Sequence, residues 1–208
     1  LYVFTNPTST QRVFYSKFKN EIFIDTSLVR LNKTLLSSRI STTPDLESIY
    51  QLLCFSNLPE RKTPIENIAK LLDGHYLEVN FRDLSFSEKE YFNLSEIPVF
   101  KGTKAAAVDQ IHEIFAQSVI MEYQKDTELG KNHLALLSGG LDSRVAMFYA
   151  IKNNEVPGNA LCFSQSGYFD HTISEKIAED FGIHYEFIPL DAGNFLKKID
   201  ELTEISEG

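Results

Sequence analysis

Apolar and polar positions follow two rhythms along this chain. Up to about residue 97 the apolar runs are short, as strands require, with one or two helical stretches among them. Arg12-Val13-Phe14-Tyr15-Ser16 and Glu21-Ile22-Phe23-Ile24 flank the turn-like pair Lys19-Asn20, which predicts a hairpin. Thr43-Pro44-Asp45 then opens a predicted helix over Leu46–Phe55, where Leu46, Ile49, Tyr50, Leu53 and Cys54 keep helical spacing. From Thr63-Pro64 the chain leads through a turn at Gly74 into a strand that ends near Asn80. Ser85 to Phe92 adds a short extended segment.

The character changes near Ile97–Thr103. Thr103 is a predicted N-cap. Val108, Ile111, Phe115 and Val119, with Ala107, Ile114 and Ile120 beside them, predict an amphipathic helix of about five turns. The apolar run His133–Leu137 reads as a buried parallel strand. A helix over Asp142–Lys152 follows, with Val145, Ala146, Tyr149 and Ala150 facing inward. Ala160–Phe163 is the next strand. The helix over His171–Phe181 has Ile173, Ile177, Ala178 and Phe181 on one face and stops at Gly182. His184–Leu190 is a third strand. This alternation predicts an α/β fold, a doubly wound parallel sheet, preceded by an α+β region. The expected division is 1–97 and 98–208. Ligands of such sheets bind beyond the carboxyl ends of the strands, which here means Ser138–Ser143 and Ser164–Asp170.

Charge and composition narrow the function. A net charge of −9 argues against a general nucleic-acid binder, because phosphates are neutralised by clustered Lys and Arg. No apolar run approaches the roughly 20 residues of a membrane span, and no signal peptide is present, so a cytoplasmic protein is expected. Cys54 and Cys162 lack metal-ligand spacing and are expected to be buried structural thiols. No histidine pair has metal spacing; His112 and His171 read as helix-surface residues, His184 as a packing or hydrogen-bonding residue at a strand start, and His75-Tyr76 as strand-edge residues or, alternatively, as the lining of an interdomain channel. The acidic run Asp200–Glu207 reads as a solvated helix face. A start at Leu1 rather than Met is expected of a fragment or a processed chain.

The segment that carries chemistry is Ser138-Gly139-Gly140-Leu141-Asp142-Ser143, set between a strand and a helix. Adjacent glycines let the backbone approach an anion and take unusual φ values. The helix that follows offers free N–H groups and the positive end of its dipole, and the serines add hydroxyls. Asp142 would repel phosphate unless Mg²⁺ lay between them. The same residues read equally well as a tight turn with Asp142 capping a helix. The segment is neither a Walker P-loop nor a Gly-x-Gly-x-x-Gly fingerprint. Arg144 is either a solvated helix residue or a contact to phosphate or carboxylate. Asp170 either caps a helix or reaches a nucleotide.

Leu137-Ser138-Gly139-Gly140-Leu141-Asp142-Ser143 resembles the PP-loop signature of ATP pyrophosphatases in the form found in asparagine synthetases and β-lactam synthetases. Phe163-Ser164, Asp170, Glu175, Ala178 and Gly182-Ile183-His184 resemble the same family's second strand and helix. Thr63-Pro64 through Gly74-His75-Tyr76-Leu77 is similar to the segment that closes its glutaminase domain. The resemblance implies an adenine nucleotide alpha-hydrolase-like sheet preceded by part of a glutaminase-like, Ntn-type region. It implies ATP and Mg²⁺, with Leu136, Leu137, Phe163 and Ser164 toward the adenosine. Ser138, Gly139, Gly140, Asp142 and Ser143 would lie at the pyrophosphate, Asp142 would hold the metal, and Asp142 and Ser138 would serve catalysis. The implied reaction adenylates a small-molecule carboxylate and then transfers nitrogen from an amine, from ammonia or from glutamine; a homodimer is compatible with it. Other readings are a tRNA-modifying or sulfur-transferring PP-loop enzyme, and a nucleotide-binding remnant without catalysis. The match departs in three places: Leu1 is not the family's cysteine nucleophile, its later Gly-rich acidic segment is absent from these residues, and Arg144 stands where a small residue is usual.

Overall fold

A computed structural model describes residues 1–8, 10–83 and 85–206. The chain packs as two compact units, Leu1–Pro98 joined by the segment from Asp200, and Val99–Ile199. Parallel and antiparallel sheets occur together, so the fold is mixed α/β.

In the first unit β1 (Tyr2–Phe4), β5 (His75–Val79) and β6 (Phe86–Glu90) form an antiparallel sheet in the order β1-β5-β6. A second antiparallel sheet, β3-β2-β4, joins β2 (Phe14–Phe18), β3 (Glu21–Asp25) and β4 (Ala69–Lys70). The predicted hairpin is present, with Phe18 opposite Glu21 and Lys19 at φ 51° in the turn. Val13, Tyr15, Leu71, Leu77 and Val79 form a core shared by the two sheets. On the other face of β2, Phe14 packs with Leu28, Leu31 and Leu35 of α1 (Leu28–Ser37). Covered on both faces, the start of β2 buries Phe14, Tyr15 and Ser16 in succession rather than alternately.

The sequence pattern did not assign α1, although Ser27 caps it and Leu28, Leu31 and Leu35 keep helical spacing. For α2 (Leu46–Phe55) the pattern is right about the helix and wrong about burial: among its residues only Ser48 is fully buried, and Leu46, Tyr50, Leu53 and Phe55 are exposed. Cys54 therefore lies exposed, contrary to expectation, while Cys162 is buried as expected. His75 and Tyr76 stand on β5, the central strand of their sheet, rather than on an edge.

In the second unit α3 (Lys104–Glu128) runs 25 residues, about seven turns rather than five. Its N-cap is Thr103, as expected. Val119 and Tyr123 pack with Ala150 of α4 (Leu141–Lys152). Val108, Ile111 and Ile114 remain exposed. α4 has 12 residues and reaches α3, a helix about 37 Å long, as far as His112 and Phe115, whose rings contact Tyr149; Val108 lies beyond those contacts. On α4, Met147 and Ala150 are the buried positions.

Three parallel strands, β7 (Leu134–Leu136), β8 (Asn159–Ser164) and β9 (His184–Pro189), lie in sequential order. Leu137, Met147, Ala160, Ala178 and Ile183 form one core, so α4 and α5 (Phe169–Phe181) pack on one face of this sheet. Phe181, expected inward, is half exposed, because Gly182 in the left-handed region turns the chain there and Ile183 enters the core instead. The last helix, α6, spans Ile199–Ser206, and Asp200 and Glu201 in its first turn are solvent-facing as expected; Glu207 lies outside the described residues. Among the described residues no helix is long and apolar enough to cross a membrane.

Burial pushes the phenols of Tyr15, Tyr123 and Tyr185 up to about 12. The folded values exceed the unfolded value of about 10. Their stabilisation is therefore complete below pH 10 and is lost as pH rises toward 12. Because the chain has no Trp, absorbance near 295 nm reads its nine tyrosines alone. A fraction of the phenols is expected to ionise only as the fold is lost. Ionisation of all nine with one midpoint near 10 in a still-folded chain would contradict this packing.

Candidate functional site

The ladder of β7 continues one residue further, where the Leu137 N–H donates to the Leu161 carbonyl at 2.9 Å. Ser138-Gly139-Gly140 then turns the chain into α4. Two serines close this turn on itself. The Ser138 N–H donates to Ser143 Oγ at 3.1 Å, and the two hydroxyl oxygens lie 2.9 Å apart. The Gly140 N–H donates to Ser138 Oγ at 3.2 Å, and Arg144 Nε donates to the Gly140 carbonyl at 3.0 Å. Arg144 is thus tied to the loop across the first turn of α4.

Neither glycine uses a left-handed φ. Gly140 is the N-cap of α4 at φ −68°. Space is the constraint instead. A Cβ on Gly139 would fall 2.5 Å from a Phe169 ring carbon and 2.8 Å from the Phe169 carbonyl oxygen. A Cβ on Gly140 would meet only Ser138 Oγ, at 3.2 Å.

The loop and the start of α5 are joined by a charged hydrogen bond, in which the Gly139 N–H donates to Asp170 Oδ1 at 2.8 Å. Asp170 is therefore a contact of the loop, a role outside the two considered from sequence. Its own backbone is held firmly. The Asp170 carbonyl accepts from Ser174 Oγ at 2.6 Å and from Cys162 Sγ at 3.6 Å. Ser174 Oγ in turn lies 2.7 Å from the Tyr185 hydroxyl.

Helix termini mark where a ligand can act. α1, α2 and α3 each have an N-cap side chain bonded to a backbone N–H of the first turn. α4 and α5, the helices that follow the parallel strands β7 and β8, have no side-chain cap. Their first-turn N–H groups and dipole ends suit an anion.

The predicted residues sort by where they point. Ser138, Gly139, Gly140, Asp142 and Ser143 are gathered in the loop and the first turn of α4, with Asp142 exposed. Leu136 and Phe163 are 61% and 56% exposed, on the sheet face opposite α4 and α5. Leu137 is 2% exposed, and its side chain belongs to the core. Ser164 is buried and donates to the Gln165 carbonyl at 3.1 Å.

Beyond β8, Asp191 accepts from the Ser166 N–H at 2.8 Å and from Ser166 Oγ at 2.6 Å; the hydroxyl bond, chiefly, holds its carboxyl below the usual range. His171, expected on the surface, is stacked on Phe187 at 3.7 Å and accepts the Gly167 N–H at 3.0 Å through Nδ1. Ser166, Phe169 and Asp191 carried no local sequence signal, since their partners are distant along the chain.

Gly139→Ala is expected to destabilise the chain by about 1–3 kcal/mol, because a backbone oxygen must move to admit the methyl group. For Gly140→Ala the expected cost is about 1 kcal/mol or less, because a hydroxyl rotor can give way. Urea denaturation of both variants checks this, and equal losses would mean that the Phe169 contact does not set the loop.

Residues 110–208 match the family described as asparagine synthase. Over 106 residues, 49% of this chain, the sequence is 29% identical to the glutamine-hydrolyzing asparagine synthetase 2 of Bacillus subtilis (strain 168), and the match spans 14% of that protein. The family match covers the stretch that builds the closed loop and the two uncapped helices, and over that stretch the chain is similar to asparagine synthase.

Proposed function

We propose that the second unit holds ATP at the uncapped start of α4, and that the chain serves an ATP-dependent ligase that adenylates a carboxylate. The observation that carries this reading is the loop itself. It is a strand-to-helix turn closed by Ser138 and Ser143, whose helix has no side-chain cap. In this reading the first-turn N–H groups and the serine hydroxyls take the pyrophosphate oxygens. Leu136 and Phe163 offer exposed apolar surface to the adenosine. The doubly wound sheet expected for such a domain and the glutaminase-like origin of the first unit belong to the same proposal.

The donor set fits Mg²⁺ in one way. Among the described residues no three His, Cys, Asp or Glu side chains are gathered as a metal cage. Asp142 is a single exposed carboxylate beside the loop. One or two carboxylates plus substrate phosphates is the usual protein share of a nucleotide-bound Mg²⁺. Bound there, the ion would offset the charge between Asp142 and the phosphates.

The reaction then follows from charge. A substrate carboxylate oxygen attacks the α-phosphorus, and the bond to the bridging oxygen breaks with release of pyrophosphate. A nitrogen nucleophile next attacks the acyl carbon, AMP leaves, and the nitrogen gives up a proton. The first-turn N–H groups of α4 and the serine hydroxyls stabilise the pyrophosphate as its charge grows. Arg144, already fixed to the Gly140 carbonyl, adds positive charge at the same turn. The substrate acid and the nitrogen donor, glutamine or ammonia, are left to experiment. A sulfur-transfer chemistry is disfavoured, since Cys162 is buried and Cys54 belongs to the other unit.

Calorimetry of ATP binding with and without Mg²⁺ tests this reading. Wild type is expected to bind more tightly with the metal, and Asp142→Ala to lose about tenfold or more of that gain, a change of about 1.4 kcal/mol. Absence of ATP binding by the folded chain would overturn the nucleotide assignment. Unchanged metal dependence in Asp142→Ala would remove Asp142 from the metal.

A further inference from the structure

The first unit contains a pocket of about 200 Å³ that the nucleotide reading does not use. Its apolar wall is Phe14 of β2, Leu28 of α1, Leu52 of α2 and Leu58. Around that wall stand Arg12, Lys62 and Lys70. Among the described residues no Asp or Glu lines it, in a chain with 29 acidic and 20 basic residues. A cation-only lining is therefore opposite in sign to the protein as a whole.

The strand register explains why the cations converge. Lys70 is paired directly opposite Phe14 across β2 and β4. Arg12 precedes Phe14 by two residues, which on extended chain puts it on the same side. That side carries the Phe14–Leu28 cluster. Lys62 is bonded to Glu47 at 2.7 Å, a surface pair of small net worth. Arg12 and Lys70 form no ion pair and no side-chain hydrogen bond among the described residues. Further donors are at hand. Asn57 lines the pocket, and its Oδ1 accepts the Leu58 N–H at 2.9 Å, so its amide NH₂ remains as a donor. Ser56, in the left-handed region at φ 54°, brings a hydroxyl to the lining.

We infer that this pocket binds a small organic anion, a carboxylate or phosphate head on a short apolar body. The head meets Arg12 and Lys70, and the body lies against Phe14, Leu28 and Leu58. Pockets for drug-sized ligands run to roughly 300–1,000 Å³, so the occupant is smaller. Charge-assisted hydrogen bonds supply the selectivity for the head, and burial of the body supplies the remainder.

Calorimetry and saturation-transfer NMR on the whole chain test this with hexanoate, butyl phosphate, hexan-1-ol and inorganic phosphate. At least one of the two amphipathic anions is expected to bind at one site, and the anion that does identifies the head. Hexan-1-ol and inorganic phosphate are expected to bind at least about tenfold more weakly, the worth of a charge-assisted contact. Arg12→Gln and Lys70→Gln are each expected to weaken the anion about tenfold, with far-UV dichroism as the check of fold. If their combination unfolds, the single variants decide. Equal affinity for hexanol and hexanoate would reduce the pocket to an apolar hole. Inorganic phosphate binding as tightly as butyl phosphate would mean an adventitious ion only. Wild-type affinity in both single variants, or no binding of either anion at millimolar concentration, would overturn the proposal. None of these results depends on ATP binding by the second unit.

Discussion

Gly139 sits against the Phe169 carbonyl with no room for a methyl group, and its N–H is bound by Asp170 at 2.8 Å. The contact ties the turn after β7 to the start of α5, the segment that follows β8. Because Ser174 and Cys162 donate to the carbonyl of Asp170, the carboxylate rests on a rigid support. The turn cannot drift without disturbing the start of α5. Preorganisation of donors follows from this, and preorganised donors stabilise developing charge without further reorganisation. It also changes the role of the glycines. Gly139 permits a close approach between the loop and the start of α5, and neither glycine supplies a left-handed backbone.

How much of this could be read in the sequence depends on the range of the cause. Local causes were legible. Lys19-Asn20 made the hairpin, Thr103 capped α3, Gly182 ended α5, and each depends on neighbours a few residues away. The strand-turn-helix around Ser138–Ser143 was legible for the same reason. Burial was not, because it is set by partners far along the chain. α2 has the periodicity of an amphipathic helix, yet Leu46, Tyr50 and Leu53 face outward. α3 keeps an apolar stripe, yet Val108, Ile111 and Ile114 are exposed beside the residues that α4 covers. His171 looked like a surface residue until the fold set it on Phe187, 16 positions away. The pairing of Ser166 with Asp191 had no local trace at all.

Leu136, Leu137 and Phe163 illustrate the same division within the site. The resemblance placed all three toward the adenosine, through their backbone groups. Alternation along the strands separates them, because residues in succession point to opposite faces. Leu137 enters the α4–α5 core, whereas Leu136 and Phe163 share the open face. Only the latter two can present side chains to a planar ring. Any part that Leu137 plays must come from its backbone, whose N–H is already engaged with Leu161.

The acidic balance of the chain poses a final question, since a polyanion is an unfavourable ligand for a protein of net charge −9. Two local devices meet it. At the loop, charge is answered by geometry: uncapped N–H groups, two hydroxyls and the fixed Arg144 face the same turn, and such dipoles act at short range where screening is weak. In the pocket proposed for the first unit it is answered by Arg12, Lys62 and Lys70, with no carboxylate lining it among the described residues. A mean charge spread over a surface falls off within a Debye length, about 8–10 Å in salt. The field a bound anion would feel is therefore that of its immediate neighbours: at the loop these include the carboxylates of Asp142 and Asp170, whose charge a bound Mg²⁺ would offset, and in the proposed first-unit pocket they are Arg12, Lys62 and Lys70.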